Sequence, residues 1–435
     1  MYNLYFFYKM KCFFVLFIMV MGVAAIVQAA TITGVTIDPA ITSAATGSDT
    51  WPITWADDDN LYTAYGDGNG FNPKVPSKLS LGFAKVSQGP ASFSATNIRS
   101  SSGEQIGDGA SGKKASGMLM VNGVIYMWVR NADNAGHQSQ LAWSNDHMQT
   151  WTWATWKFEE LGYCCFLNFG QHYAGARDTF VYVYSPNTTS AYDETDEVVL
   201  ARVSKNRISV ESAYEFVSGF DVNGVPQWSS NIANRTAVFT LVGGCNRLDV
   251  VYNIPLQTYI MVMRSRARVG GLNQFSIYTT QEPWGPWSQI YYTTPSSTSN
   301  GWPGEAQHFP AKWISSDGRT LYMVSSANDA FSVQRVDLIV QQSTVAMGRG
   351  TERNGTIVVH PNPFNSTAVI MVHGALSTTR DCRVFDVHGR MLEILALPQS
   401  ASQVTWNASG FPSGEYIIVL TSENVTTTKR LFLMK

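Results

Sequence analysis

Two aspartates and a glutamate have the types and spacing that hydrolysis of a sugar linkage needs. Asp49 and Asp67 stand eighteen positions apart at the ends of "DTWPITWADDDNLYTAYGD", and Glu305 follows much later in "WPGEAQHF". Cutting a glycosidic bond takes two carboxyl groups flanking it: one keeps a proton for the leaving oxygen, the other activates water or attacks the sugar. Their surroundings must push their pKa values apart. The expected pairing is Asp49 as general base and Glu305 as general acid, with Asp67 orienting substrate or tuning the acid. The roles of Asp49 and Asp67 are interchangeable at this level.

Other residues suit the reading of a sugar chain. Lys114, Arg130, Asn168, Asn246, Arg247 and His308 offer hydrogen bonds to hydroxyls or a carboxylate. Trp51 and Trp302 present faces on which a sugar ring can stack, and Tyr192 in "SAYDETDE" can overhang a binding mouth. The densest acidic run, Asp57, Asp58 and Asp59 before Asn60, has a different meaning. Asp and Asn bond nearby backbone amides in tight turns, and the run lacks a full calcium ligand set. No G-x-S-x-G elbow, phosphate loop or dinucleotide fingerprint occurs.

The elements that must position these residues are strands. Short alternating or β-branched runs such as "GVIYMWV", "FVYVYS" and "TYIMVMR" dominate, separated by Gly, Asn, Asp and Pro. A weak repeat of hairpin plus third strand recurs five times between about residues 32 and 341. Its third strands are "LSLGFAKV", "SQLAWSND", "EVVLARVS", "FSIYTTQEPWGPW" and "FSVQRVDLIV". A repeated small antiparallel sheet predicts a five-bladed β-propeller in an all-β chain, with a pair of sandwiches as the alternative. In a propeller, the loops entering innermost strands and those leaving second strands share one face. Asp49, Lys114, Asn168, Asn246, Arg247, Glu305 and His308 fall in the first group, Asp67, Arg130 and Arg264 in the second. The first and last innermost strands, carrying Asp49 and Glu305, become neighbours on closure.

The expected order is a signal peptide (1–30), a propeller (31–341), a polar linker (342–355) and a small immunoglobulin-like β-sandwich (356–435). The leader has Lys9 and Lys11 before "CFFVLFIMVMGVAAIV" and a small-residue cleavage site. Of 435 residues, 45% are hydrophobic, 14% charged and 12% aromatic, a balance that suits an extracellular β protein. Loss of the two leader lysines leaves 28 basic against 32 acidic residues, so nothing points to nucleic acid or an anionic membrane. No membrane span is expected after leader removal, and a monomer is expected. Export permits a disulfide, with Cys245 and either Cys164 or Cys165 as candidate partners. No cofactor or metal ligand set is assigned, and an axial calcium ion stays open.

Two resemblances add to this. "PNPFNSTAVI", "VFDVHGRML", "FPSGEYIIVL" and the terminal "TTTKRLFLMK" closely resemble the type IX (Por) secretion sorting domain. That resemblance implies export by the signal peptide, then partnership with the type IX machinery and release or surface attachment in a bacterium. "DTWPITWADDDNLYTAYGDG", "FLNFGQHYAGARDTFVYVYS", "SAYDETDEVVLARVSKNRI", "EPWGPW" and "PGEAQHFPAKWISSDGRTLYMV" resemble the secreted family called domain of unknown function 4185. It is similar to five-bladed propeller glycosidases, some of them arabinanases, so a polysaccharide such as an arabinan is the implied substrate. A lyase acting on a uronic-acid polymer is the alternative, since Lys114, Arg130, Arg247 and Arg264 suit a carboxylate and a Tyr or His could serve as base. A glycan-binding propeller without catalysis is the third.

Overall fold

The structure is a computed structural model that describes residues 31–266, 273–293, 304–341, 356–373, 381–386, 390–397, 403–422 and 425–435. The expected signal peptide, Trp302 and the expected linker lie outside these residues. Among those described there is no α-helix, only short 3-10 turns, and no helix long and apolar enough to cross a membrane.

Five blades of antiparallel strands follow one another along the chain, as the repeat predicts, the third and fourth joined by a parallel pairing of Leu167 and Asn168 with Val250 and Val251. The first blade contains Ile53–Trp55, Leu61–Tyr65, Gly82–Ser87 and Ser94–Ile98, in that order. The second contains Lys114–Val121, Val124–Arg130, Ser139–Ser144 and Thr152–Phe158. Its first hairpin turns through Asn122 and Gly123 at φ 52° and 79°. Asn-Gly tolerates those left-handed values, and such a turn matches the strand twist. The third runs Cys165–Asn168, Phe180–Pro186, Thr195–Ser204 and Glu215–Phe220, is extended by Pro226–Ser229, and pairs Ala237–Cys245 along its third strand. The fourth contains Leu248–Asn253, Thr258–Arg266, Asn273–Thr280 and Ser288–Thr293.

Ring closure uses the start of the chain. The fifth blade joins Thr320–Ser325 and Phe331–Gln341 to Thr31–Ala44, with Thr31 opposite Gln341 and Ala44 opposite Phe331. The first described strand thus completes the last blade, covering the edge of Phe331–Gln341. The sequence pattern showed five hairpins but not this role for residues 31–44.

Blades pack face to face, and this explains why their strands read as apolar runs rather than clean alternations. Leu61–Tyr65 and Lys114–Val121 are buried along their whole length. One core cluster joins blades one and two through Tyr62, Phe83, Met118 and Met127. Another joins blades four and five through Ile260, Phe275, Leu321 and Val336. A third joins blade five back to blade one through Trp313, Phe331, Trp51 and Tyr65, closing the circle.

The strands after Thr356 form two further sheets. One contains Thr356–His360, Thr367–His373 and Gln403–Asn407; the other contains Met391–Ala396, Asp381–Asp386, Gly414–Ser422 and Val425–Leu433. A single core with Trp406 at its centre draws Ile370 from the first sheet and Val384, Ile418 and Leu431 from the second, so the tail is a β-sandwich. The expected disulfide is absent: Cys164, Cys165, Cys245 and Cys382 are all buried free thiols. Burial pushes the Cys164 thiol up to about 12, which keeps it protonated and unreactive.

Candidate active site

The first blade carries the two aspartates to one end of its hairpin. Asp49 pairs with Gly66, its N–H donating to the Gly66 carbonyl at 2.9 Å and its carbonyl accepting from Gly66 N at 2.7 Å. Asp67 follows at φ 43°, which breaks strand alternation just beyond that pair. Glycine is required at 66: a Cβ there would stand 2.7 Å from Asp49 Oδ1 and 2.8 Å from Thr50 Oγ1. The "DDDN" turn lies at the opposite end of the same hairpin, beyond Trp55.

Buried cations surround these acids. Lys114 at the start of the second blade is 2% exposed and meets Asp67 Oδ1 at 2.7 Å. Arg130 ends the next strand at 1% exposure. Arg247 leads into the fourth blade, and Arg264 lies in its second strand; both are buried and both meet the Glu305 carboxylate, Arg264 at 3.2 Å. Glu305 keeps 40% of its side chain exposed, so it reaches the mouth while its partners lie beneath.

The electrostatics divide the carboxylates. Burial raises the pKa of Asp49, and the charges of Asp67 and Glu305 raise it further against the opposing pull of Arg130 and Lys114. Glu305 behaves in the opposite way. Burial acts to raise it, but Arg247, Arg264 and Arg130 outweigh that and hold its carboxyl at about 2. An acid at 2 is ionised throughout the physiological range and is a weak base. Asp49 is therefore the carboxyl pushed toward its protonated form, while Glu305 is held ionised.

A loop from the third blade covers this group. Gln138 N donates to Thr189 O at 2.9 Å and Ala191 N to Gly136 O at 3.1 Å, so the loop rests on the second blade. Asn246 holds it from the fourth blade, donating from Nδ2 to Asp193 O at 3.1 Å. Tyr192 is thereby set over the cations: Arg130 and Asn131 donate to its hydroxyl at 3.2 and 3.0 Å, and the Arg130 and Arg247 guanidinium groups lie 5.5 and 5.7 Å from its ring centre.

Thus Asp49, Asp67, Lys114, Arg130, Tyr192, Asn246, Arg247 and Glu305 come together at one mouth. Buried His308 approaches from the fifth blade, with Nδ1 3.4 Å from Asp249 Oδ1. Asn168 does not join the mouth. It ends rather than precedes its strand, accepting from Thr54 Oγ1 at 3.2 Å and donating to Met118 O at 3.2 Å, and so ties three blades together deeper along the axis. Trp51 is no stacking platform either. It is fully buried among Tyr65, Phe71 and Phe331, its indole N–H donating to Ala330 O at 3.1 Å. Trp302 lies outside the described residues.

Two residues at the site escaped the sequence reading. Tyr163 leads into the third blade, where Asn168 was expected. It is buried within electrostatic reach of Arg247 and Arg130, and burial raises its pKa. Asp249, partner of His308, sits inside a strand that reads as apolar. Starting the third blade at Cys165 would have pointed to Tyr163, five positions before Asn168; no pattern signalled Asp249.

Strain also gathers here. Thr50, Asp67, Asn131 and Ala306 take φ values of 47°, 43°, 57° and 51°. A β-branched residue such as Thr50 seldom adopts that region, at a cost of about 1–3 kcal/mol, and it persists only where its surroundings fix it. Here Ser326 Oγ accepts from Thr50 N at 2.8 Å.

The fold and site define an all-β propeller with a charged axial mouth and a sandwich tail. Residues 358–434 match the family model described as a secretion system C-terminal sorting domain. The sorting domain places the protein outside the cell or on the outer surface. No curated protein sequence matches the chain. Among solved structures it is similar to a family GH43_1 enzyme from Xanthomonas citri, at 11% identity and TM-score 0.40, over 70% of this chain and 91% of that one. An exo-beta-1,3-galactanase from Phanerochaete chrysosporium is similar at 11% identity and TM-score 0.39, over 91% and 93%. A family 117 glycoside hydrolase from Zobellia galactanivorans is similar at 9% identity and TM-score 0.36, over 70% and 91%. Likenesses this distant carry nothing about chemistry.

Proposed function

We propose that the chain is a secreted glycoside hydrolase of a polysaccharide, with its site at the propeller mouth. The observation that carries this is the separation of carboxyl environments. Asp49 is pushed toward the protonated form beside a second aspartate, while Glu305 is held ionised by arginines. Carboxyls pushed apart in this way separate the one that can donate a proton from the one that stays a fixed charge.

In this reading Asp49 donates its proton to the leaving glycosidic oxygen. Asp67, held by Lys114, is the partner that activates water or attacks the sugar. Glu305 fixes Arg247 and Arg264 and supplies negative charge near the developing oxocarbenium, without moving a proton. Tyr192 bounds the mouth from above. Membership of the propeller in the domain-of-unknown-function family 4185, and its limits at residues 31–341, belong to this proposal.

The test is a product screen of the full-length protein on arabinans, xylans, pectins and uronate polymers. Reducing ends without ultraviolet-absorbing unsaturation are expected from at least one. Their loss in folded Asp49→Asn and Asp67→Asn variants ties them to this site. Unsaturated products, or full activity in both variants, would sink the proposal.

A further inference from the structure

Charge at the mouth is unevenly matched among the described residues. Lys114 has Asp67, and Arg247 and Arg264 share Glu305. Arg130 has no described carboxylate at ion-pair distance. Its Nη1 donates to the phenolic oxygen of Tyr192, a neutral acceptor, and its buried Nε has no hydrogen-bond partner. The buried Nε of Arg247 also lacks one. Arg130 and Arg247 lie close enough that each opposes the charge of the other. A guanidinium taken out of water beside a second cation is costly unless an anion joins it. Next to Arg130, the buried Oδ1 of Asn131 has no donor, an acceptor suited to a hydroxyl.

A neutral sugar would satisfy the amide but not the guanidinium. We propose that the mouth is built for an acidic polysaccharide, and that Arg130 pairs with the carboxylate of a uronic acid unit while Asn131 accepts from a neighbouring hydroxyl. This rests on the reading of the mouth as a sugar site. A planar guanidinium fork matches a carboxylate with two parallel hydrogen bonds. A sulfate ester shares the charge and is separated by experiment.

The experiment measures binding of trigalacturonate, trimannuronate and triglucuronate to the full-length protein by calorimetry, each against its carboxyl-reduced form. At least one acid should bind about 30-fold more tightly than its reduced form, as expected for a buried charged hydrogen bond. Arg130→Gln should abolish that preference, and Arg335→Gln, on the exposed outer face, should retain it. Arg130 is buried, so if its Gln variant does not fold, the wild-type comparison of acid and reduced sugar decides alone. Equal affinity for both forms, no binding of any of the three acids, or preference for a sulfated galactan oligomer overturns the inference. Binding of an acid without cleavage supports it while removing the hydrolase reading; cleavage of neutral polymers alone does the reverse.

Discussion

Two acidic regions lie at opposite ends of one hairpin and differ in everything but charge. At the far turn, Asp58 accepts from Asn60 Nδ2 at 2.8 Å and Tyr62 Oη at 2.9 Å, Asp57 meets His147 at 2.8 Å, and Asp59 meets Lys312 at 2.9 Å. Each acid has a local partner in solvent, and the hydrogen bonds lower the pKa of Asp58 and Asp59. At the mouth, the side chain of Asp49 accepts, among the described residues, only from the Thr50 hydroxyl at 3.3 Å, and burial raises its pKa. The turn acids are satisfied where they stand. The mouth acid is pushed toward its protonated form. Density of charge in sequence does not distinguish the two regions; desolvation and partners do.

The comparison can be broken most sharply by activity. Asp49→Asn should cost about 10³-fold in rate on the true substrate, while Asp58→Asn should cost nothing measurable. Equal losses would erase the distinction. Next comes stability. Lys114→Met leaves Asp67 facing a buried gap and should destabilise by about 3 kcal/mol in denaturant unfolding. Removing Lys312 from exposed Asp59 should cost about 0.5 kcal/mol.

Glu305→Gln strips the shared anion from two buried arginines and should destabilise by about 2 kcal/mol, less than a fully buried pair because Glu305 is partly solvated. Its folded pKa is depressed to about 2 from 4.5, so its contribution is present above 4.5 and is lost as pH falls toward 2. The wild type should lose stability over that window, and the Gln variant should not lose this component. Smaller still, Asp49→Asn should raise the melting temperature by about 2 °C at neutral pH, a gain in stability that accompanies loss of function.

Much of the fold was legible because blade packing imposes short apolar strands separated by turn residues. "MLMVNGVIYMWV" announces its hairpin outright. The closing strand at 31–44 was hidden because its partner, Phe331–Gln341, is three hundred residues away and no local pattern records long-range pairing. The site was legible where an acid or base adjoins a hairpin end, as with Asp49, Asp67, Lys114, Arg130 and Arg247. It failed where position along the axis depended on a strand start. Asn168 was taken for the residue leading into a strand that it in fact ends, and Tyr163, five positions earlier, was missed for the same reason. Trp51 failed for another reason: an indole reads alike in sequence whether it faces a sugar or a core, and only packing against Phe331 and Tyr65 decides.

The central claim is that the mouth raises the pKa of Asp49, and it can be tested without knowing the sugar. Unfolding free energies of the wild type and Asp49→Asn would be measured from pH 3 to pH 7. A raised folded pKa means that the contribution of Asp49 is fully present below 3.8, its ordinary value, and is lost as pH rises through the folded value. The Asn variant should therefore gain on the wild type as pH climbs above 3.8. A difference that stays flat across the range, or that grows as pH falls, would contradict the account.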